Sequence, residues 1–408
     1  MLTVEEAHEQ VLAHVELLGS EAVPIPLALG RVLAGDAIAH EMLPGFANSA
    51  MDGYAVHAED TAGASSDHPV RFKLIGEVPA GSVFSGGIAH GEAVRILTGA
   101  PVPETCDAVL QQELAHAGAD WVEFLAAAAP GNNIRYPGED VRVGDVLVRG
   151  GTELGPAEIA LLAALGVHPV TVTRRPRVAI LSTGDELAPL GTVPQPGQIR
   201  ESNGPYLAAA VLRAGAEPVM LGIARDRSEE IRAALEQAKT ADLILTSGGV
   251  SVGDYDLVKQ ILQSEGDIEF WRVRMRPGKP LAFGRLGTTP LLGLPGNPVS
   301  AAVTFELFGR PAIRRMLGCR NVDRPAVQVV YDGSPMSRGD RRHYVRVRLH
   351  SRDATLVAQP TGDQASHVIS SLRGATALLI VPEGEGDIQP GERLTALLLN
   401  DGLPWADE

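Results

Sequence analysis

The chain has 408 residues, 45% of them hydrophobic, at a mean hydropathy of +0.05. That balance excludes wholesale disorder, and the length exceeds one hydrophobic core, so about two to four domains are expected. A formal net charge of -15 argues against nucleic acid as a partner.

Further exclusions are local. No uninterrupted apolar run approaches the ~18 residues of a membrane span. The start, Met1-Leu-Thr-Val-Glu-Glu-Ala-His8, lacks the basic and apolar regions of a signal peptide. Cys106 and Cys319 show no metal-ligand spacing, so a reducing cytoplasm is expected. No histidine pair has zinc spacing. Four of the 35 basic side chains are lysines, Lys73, Lys239, Lys259 and Lys279.

In chain order, Val4, Ala7, Val11, Val15 and Leu18 predict a helix, followed by short segments punctuated by proline. From 57 to 132 the pattern becomes short β-like runs, such as Val70–Ile75 and Trp121–Leu125, which predict a small all-β unit. Residues 157–166 read as a helix ending at Gly166. The β unit is therefore expected as an insertion into an elongated domain built from both flanks. From Pro176 strands and helices alternate through Val178–Leu181, Tyr206–Ala214, Pro218–Gly222, Ser228–Gln237, Leu243–Thr246, Asp254–Leu262, Leu291–Leu294 and a helix from Pro298. Alternation of this kind predicts a doubly wound parallel α/β sheet. Beyond Asp323 the chain is β-rich again, which predicts a small barrel or sandwich.

Ligands of a doubly wound sheet bind beyond the carboxyl ends of its strands, and four loops there carry suited residues. Ser182-Thr-Gly-Asp-Glu186 offers two adjacent carboxylates, either as ligands or as a capped, solvated helix start. In Thr246-Ser-Gly-Gly-Val-Ser-Val-Gly-Asp-Tyr-Asp256, small residues between strand and helix suit an anion cradle. It would be formed by Ser247, Gly248, Gly249 and Ser251. Asp254 and Asp256 beside it suggest a magnesium ion shared with a phosphate. The loop matches neither a Walker A nor a dinucleotide fingerprint. Arg274-Met-Arg-Pro-Gly-Lys-Pro280 constrains Lys279 between Gly278 and Pro280. In Leu294-Pro-Gly-Asn-Pro298, Gly296 allows close approach, Asn297 suits an N-cap and Pro298 the first helical position.

Three further groups lie elsewhere. Asn48-Ser-Ala-Met-Asp-Gly-Tyr-Ala-Val56 sets Asp52 among small and apolar residues, where desolvation is costly unless a partner or ligand meets it. Gly53 behind it permits a turn or a close backbone approach. Asn133–Asp140 brings Arg135, Glu139 and Asp140 to the same junction, and Gly339–Arg346 with Gln364–His367 offers arginines, a serine and a histidine.

The Asn48–Val56 string resembles the signature of the molybdopterin molybdotransferase family, MoeA and the gephyrin E domain. The likeness continues through Ile96–Pro103 with Asp107-Ala-Val109, Asn133–Val141, Ala179–Leu187 and Ile199–Asn203. It ends with Gly248–Asp256, Pro277–Pro280, Gly293–Ser300 and Ser366-His367. The resemblance spans essentially the whole chain. It implies a transferase that inserts molybdate into the dithiolene of adenylated molybdopterin, releasing AMP and molybdenum cofactor, with Mg²⁺. It implies a homodimer with an intersubunit active site, and handover to other cofactor-biosynthesis proteins.

Four domains are implied: a discontinuous mixed α/β linker domain (1–53 and 136–172), an inserted all-β domain (54–135), a doubly wound MogA-like domain (173–320) and a C-terminal β-barrel (321–408). Family positions fall on Asp52, Thr98, Arg135, Asp140, Glu186, Asp256, Arg276, Lys279, Arg341 and Ser366. Asp52, Asp140, Glu186 and Lys279 are the implied catalytic set, with Asp256 and Glu186 at the metal. Thr98, Arg135, the 247–251 cradle, Arg276, Pro295, Gly296, Asn297, Arg341 and Ser366 are assigned to substrate. Arg276 stands where many relatives carry lysine, and Ala365 where they often carry glycine. The doubly wound domain alone also resembles MogA-type adenylyltransferases and a module of CinA proteins, and gephyrin uses its E domain as a scaffold. Both remain as alternatives.

Overall fold

The structure, a computed structural model, describes residues 1–249 and 257–400. Ser251, Asp254 and Asp256 lie outside the described residues.

Val178-Ala-Ile-Leu181 explains the central unit. Successive side chains of a strand point to opposite faces, so an unbroken apolar run needs cover on both. Val178 and Ile180 join a core with Leu207, Val211 and Leu292, while Ala179 and Leu181 join a second with Ile231, Leu235 and Ile261. Six strands form the sheet in the order Glu217–Ala224, Arg177–Thr183, Leu243–Ser247, Thr289–Leu294, Pro280–Leu286 and Asp267–Arg272. The first four are parallel, as expected, and Pro280–Leu286 runs antiparallel to both of its neighbours. The antiparallel edge follows from chain length: only Gly287 and Thr288 separate two of its strands, and a parallel crossover needs a dozen residues or so.

Helix Val4–Ala13 is capped by Thr3 and buries Val4, Ala7 and Val11 in the core that also holds Phe308 and Ile313. The head of the chain thus packs on the doubly wound unit. Strand Ser20–Val23 pairs with Val170–Thr173, and Ala37–Ile38 with Val146–Val148. Segments from either side of the insertion therefore share one small unit. Between them lies a six-stranded sheet that includes Gly53–Val56, Val70–Val78, Glu92–Ile96 and Ala108–Gln111. A Cβ at Gly53 would sit 2.0 Å from the Leu110 carbonyl oxygen. Gly53 therefore serves close backbone approach inside a sheet, not a turn. After residue 325, strands Ala326–Tyr331, Arg342–Arg352, Thr355–Pro360, Ala377–Val381 and Arg393–Leu398 close into a five-stranded barrel. Among the described residues, no helix is long and apolar enough to cross a membrane.

Candidate active site

Three parallel strands, Arg177–Thr183, Leu243–Ser247 and Thr289–Leu294, end along one edge, and the loops that follow enclose a cleft of about 990 Å³. Glu186, Ser247, Gly248, Gly249, Pro295, Gly296 and Asn297 line it. Sequence reasoning placed all seven in the site. The cradle is tight: Gly248 and Gly249 have φ of +94° and +69°, and a Cβ on Gly248 would lie 2.9 Å from the Thr183 carbonyl oxygen. Only glycine fits such a turn, which brings backbone close to whatever enters the cleft.

The two adjacent carboxylates of the first loop separate. Asp185 turns away, its Oδ1 accepting the Asp226 N–H at 3.3 Å, while Glu186 is exposed to the cleft. No helix starts here, because the chain enters the short strand Leu187–Ala188. Asn297 holds the N-cap position of Pro298–Thr304 without a side-chain capping bond. Its Nδ2 instead donates to Ser366 Oγ at 3.1 Å, and the Ser366 carbonyl accepts the Val299 N–H at 3.2 Å. The barrel loop is thereby fixed to the mouth of the cleft, and His367 lines it.

Two contributors escaped the sequence reading although they lie in the quoted Ile199–Asn203 segment. Asn203 Nδ2 donates to Ser247 Oγ at 2.7 Å and to the Gly296 carbonyl at 2.8 Å, tying the cradle to the opposite loop. Glu201 is buried, and its Oε1 accepts from Ser182 Oγ at 3.0 Å and the Gly204 N–H at 2.6 Å. Polar residues at a helix start read as caps, which hid both.

The expected cations Lys279, Arg276 and Arg341 are not among the cleft-lining residues, which do include Arg200. Lys279 is half-buried beside cleft-lining Pro280, its carbonyl accepting the Val273 N–H at 2.8 Å. Arg276 is exposed and pairs in register with His343 of the barrel. Arg341, the expected barrel arginine, is engaged by its neighbour Asp340 at 3.3 Å. The arginine that shapes the site is Arg346, which is fully buried. Its Nη2 donates to the Asp363 and Ala365 carbonyls, both at 3.3 Å, and to Ser371 Oγ at 3.0 Å, while Nε reaches Ser371 Oγ at 3.1 Å. These bonds set the loop that carries Ser366.

Asp52 and Thr98 are bonded to each other, Arg135 pairs with Asn48 and the Asp140 N–H donates to the Leu43 carbonyl; none of the four lines the cleft. Strand pairing of Ile134–Arg135 with Asn48–Ser49 brings them to the junction of insertion and linker. Asp52 is exposed, contrary to the burial its apolar neighbours implied. Tyr54, Ala55 and Val56 point into the sheet, whereas Asp52 precedes the first paired residue. Thr98 donates to Asp52 Oδ1 through its hydroxyl at 2.7 Å and its N–H at 2.8 Å. The hydroxyl bond, then the amide bond, hold the carboxyl below its usual range. Depression keeps Asp52 ionised as pH falls. Thr98→Val removes the larger cause, so the acid limb of the pH–rate profile is expected to move to higher pH. An unmoved limb would show that Asp52 does not titrate in the reaction.

One cleft carboxylate is of the kind a small hard cation takes. Among the described residues, Glu186 is a cleft carboxylate with no hydrogen bond or ion pair of its own, whereas Glu201 is already engaged. Magnesium takes one or two carboxylates and completes its shell with phosphate oxygens and water. The second expected ligand, Asp256, lies outside the described residues.

Residues 2–166 match the family described as the MoeA N-terminal region (domain I and II), 179–315 the probable molybdopterin binding domain, and 332–399 the MoeA C-terminal region (domain IV). The chain is 42% identical to molybdopterin molybdenumtransferase 2 of Mycobacterium tuberculosis, over 97% of this chain and 98% of that one. It is 36% identical to the molybdopterin molybdenumtransferase of Bacillus subtilis, over 99% and 96%. The crystal structure of the molybdopterin biosynthesis MoeA protein from Pyrococcus horikoshii has a TM-score of 0.85 at 33% identity, covering 98% of this chain and 100% of that chain.

Proposed function

From the premise that the chain belongs to the molybdopterin molybdenumtransferase family and is a transferase of molybdenum cofactor biosynthesis, we propose that it inserts molybdate into adenylated molybdopterin and releases AMP. The carrying observation is the cleft itself: a glycine cradle, a carboxylate without a partner among the described residues and a fixed serine loop, with Lys279 next in sequence to its lining residue Pro280.

The chemistry asks the site to hold two anions. The Gly249 N–H and the Ser247 hydroxyl suit the phosphates, the Gly248 N–H being taken by the Leu294 carbonyl at 3.1 Å, and Asn203 keeps that loop at a set distance from Gly296. Lys279 and Arg276 supply the positive potential that a net-negative chain must concentrate. A magnesium ion at Glu186 would neutralise phosphate charge and polarise the bond to the leaving AMP. Ser366, aimed by Asn297 and Arg346, faces the oxyanion side. Asp52, kept ionised by Thr98, and Asp140 take protons from the dithiol and pass them to the molybdate oxygens, which leave as water.

Asp52 and the cleft are proposed to meet across a homodimer. Phe46, Met51 and Tyr136, which neighbour Asp52 and Arg135 in sequence, are 52%, 38% and 52% exposed. Exposed aromatics beside a functional carboxylate suit cover by a second copy. A cytoplasmic location, and handover of the finished cofactor to another protein, belong to the same proposal.

Incubation with adenylated molybdopterin, Mg²⁺ and molybdate is expected to release AMP only when all three are present. Pyrophosphate release from ATP and molybdopterin, without AMP release, would favour adenylylation instead. For Lys279, one charge-assisted contact contributes about 1.5–3 kcal/mol. Lys279→Ala should therefore lower kcat/KM by roughly ten- to a hundredfold. Near-normal efficiency would assign the anion to Arg276 and the cradle alone.

A further inference from the structure

Among the described residues, the walls of the cleft carry three carboxylates, Glu186, Glu201 and Asp226, but one arginine, Arg200, and no lysine. Residues 250–256, which follow the cradle in sequence, contain neither lysine nor arginine. A phosphate that enters therefore meets a single guanidinium at the wall.

The fold sets Arg200 beside the segment that carries Glu186. Strands Leu187–Ala188 and Ile199–Arg200 pair in parallel, with Ala188 opposite Arg200. The Ile199 N–H donates to the Glu186 carbonyl at 2.8 Å and the Glu201 N–H to the Ala188 carbonyl at 3.0 Å, so bonds flank Arg200 on both sides. Its exposed side chain is aimed: Nη1 donates to the Thr192 carbonyl at 2.7 Å. Thr192 is itself held in a turn, where its N–H and hydroxyl donate to the Pro189 carbonyl at 3.2 and 2.7 Å. Among the described residues, Nε and Nη2 make no hydrogen bond and no carboxylate pairs with Arg200. A guanidinium that shares a wall with three carboxylates and pairs with none keeps its planar fork free, and that fork matches two oxygens of a phosphate.

Sheet order says which anion it meets. Glu186 and Arg200 follow strand Arg177–Thr183, and the cradle follows its neighbour Leu243–Ser247. Next comes Thr289–Leu294, followed by Asn297 with its bond to Ser366, and then the strand that Pro280 begins. Three steps of ~4.8 Å put roughly 14 Å between the first strand and the last. Arg200 is thus on the cradle side, away from Ser366 and Lys279.

We propose that Arg200 is a phosphate-binding residue of the cleft, whose Nε and Nη2 receive the phosphate of the nucleotide half of the substrate on the side that also holds Glu186. This rests on the reading of the cleft as the seat of an adenylated substrate, and adds to it a residue that discriminates by phosphate.

AMP and adenosine titrated by calorimetry into the full chain, with EDTA present to exclude metal, test this. Wild type is expected to bind AMP at least about tenfold tighter than adenosine, since only AMP offers the phosphate. Arg200→Gln keeps a donor for the Thr192 carbonyl and removes the charge. It is expected to weaken AMP by roughly ten- to thirtyfold while adenosine changes little. Arg200→Lys should keep part of the preference. Equal affinity for the two ligands in wild type overturns the proposal whatever a variant does. Unchanged AMP binding in Arg200→Gln overturns it too, as does a loss shared equally by adenosine, which would make Arg200 a brace for the Pro189–Thr192 turn. Molybdate-dependent AMP release by wild type, run in parallel, separates the two levels. Release with unchanged AMP affinity in Arg200→Gln removes only the role of the arginine, whereas absent release removes the reading beneath it.

Discussion

Arg346→Met is expected to lower turnover by roughly a hundredfold or more and to reduce thermal stability at the same time. The guanidinium is fully buried and donates to two carbonyls and one hydroxyl of the segment between Asp363 and Ser371. Methionine fills much of the space but leaves those oxygens without donors, at about 1–3 kcal/mol for each buried group left bare. The loop then loses its reason to hold Ser366 toward Asn297. Arg346→Lys should rescue little, since one ammonium cannot reproduce a planar fork. Arg341→Met offers the contrast: among the described residues its guanidinium pairs with Asp340, 82% exposed in its side chain, so stability should scarcely change. Equal effects from Arg341 and Arg346 would contradict this division.

Glu186→Gln is expected to abolish most turnover at ordinary Mg²⁺ and to recover part of it as Mg²⁺ is raised. The substitution keeps size and hydrogen bonding but removes the charge that a hard cation needs. Roughly a hundredfold loss is expected if one carboxylate contributes on the order of 3 kcal/mol to a metal–phosphate complex. Binding of Mn²⁺ with AMP, followed by relaxation of water protons, gives a readout independent of turnover and should weaken in parallel. Loss of turnover with unchanged Mn²⁺ binding would move Glu186 from the metal to the reacting groups.

Much of this was legible in the residues, for reasons that can be named. The alternation from Pro176 disclosed the doubly wound unit because a buried strand must be apolar on both faces, as Val178–Leu181 is. Strand direction was not legible at the edge, since hydrophobic pattern is blind to it; the short Gly287-Thr288 turn was the available clue. Asp52 stands exposed rather than desolvated among its apolar neighbours, because local composition says nothing about where a sheet begins. Arg341 and Arg346 differ little in sequence context, and only the fold reveals which is enclosed. Asn203 was hidden because its work is done through tertiary bonds to Ser247 and Gly296.

Whether Asp52 and the cleft act on one substrate is decided by mixing inactive subunits. Asp52→Ala and Lys279→Ala proteins, each first checked for the proposed homodimer and each expected to be impaired, are combined under conditions of confirmed subunit exchange, and molybdate-dependent AMP release is followed. A shared site predicts recovered activity, because mixed dimers hold one cleft with neither substitution. No recovery after complete exchange would contradict the shared site and return both residues to the same subunit.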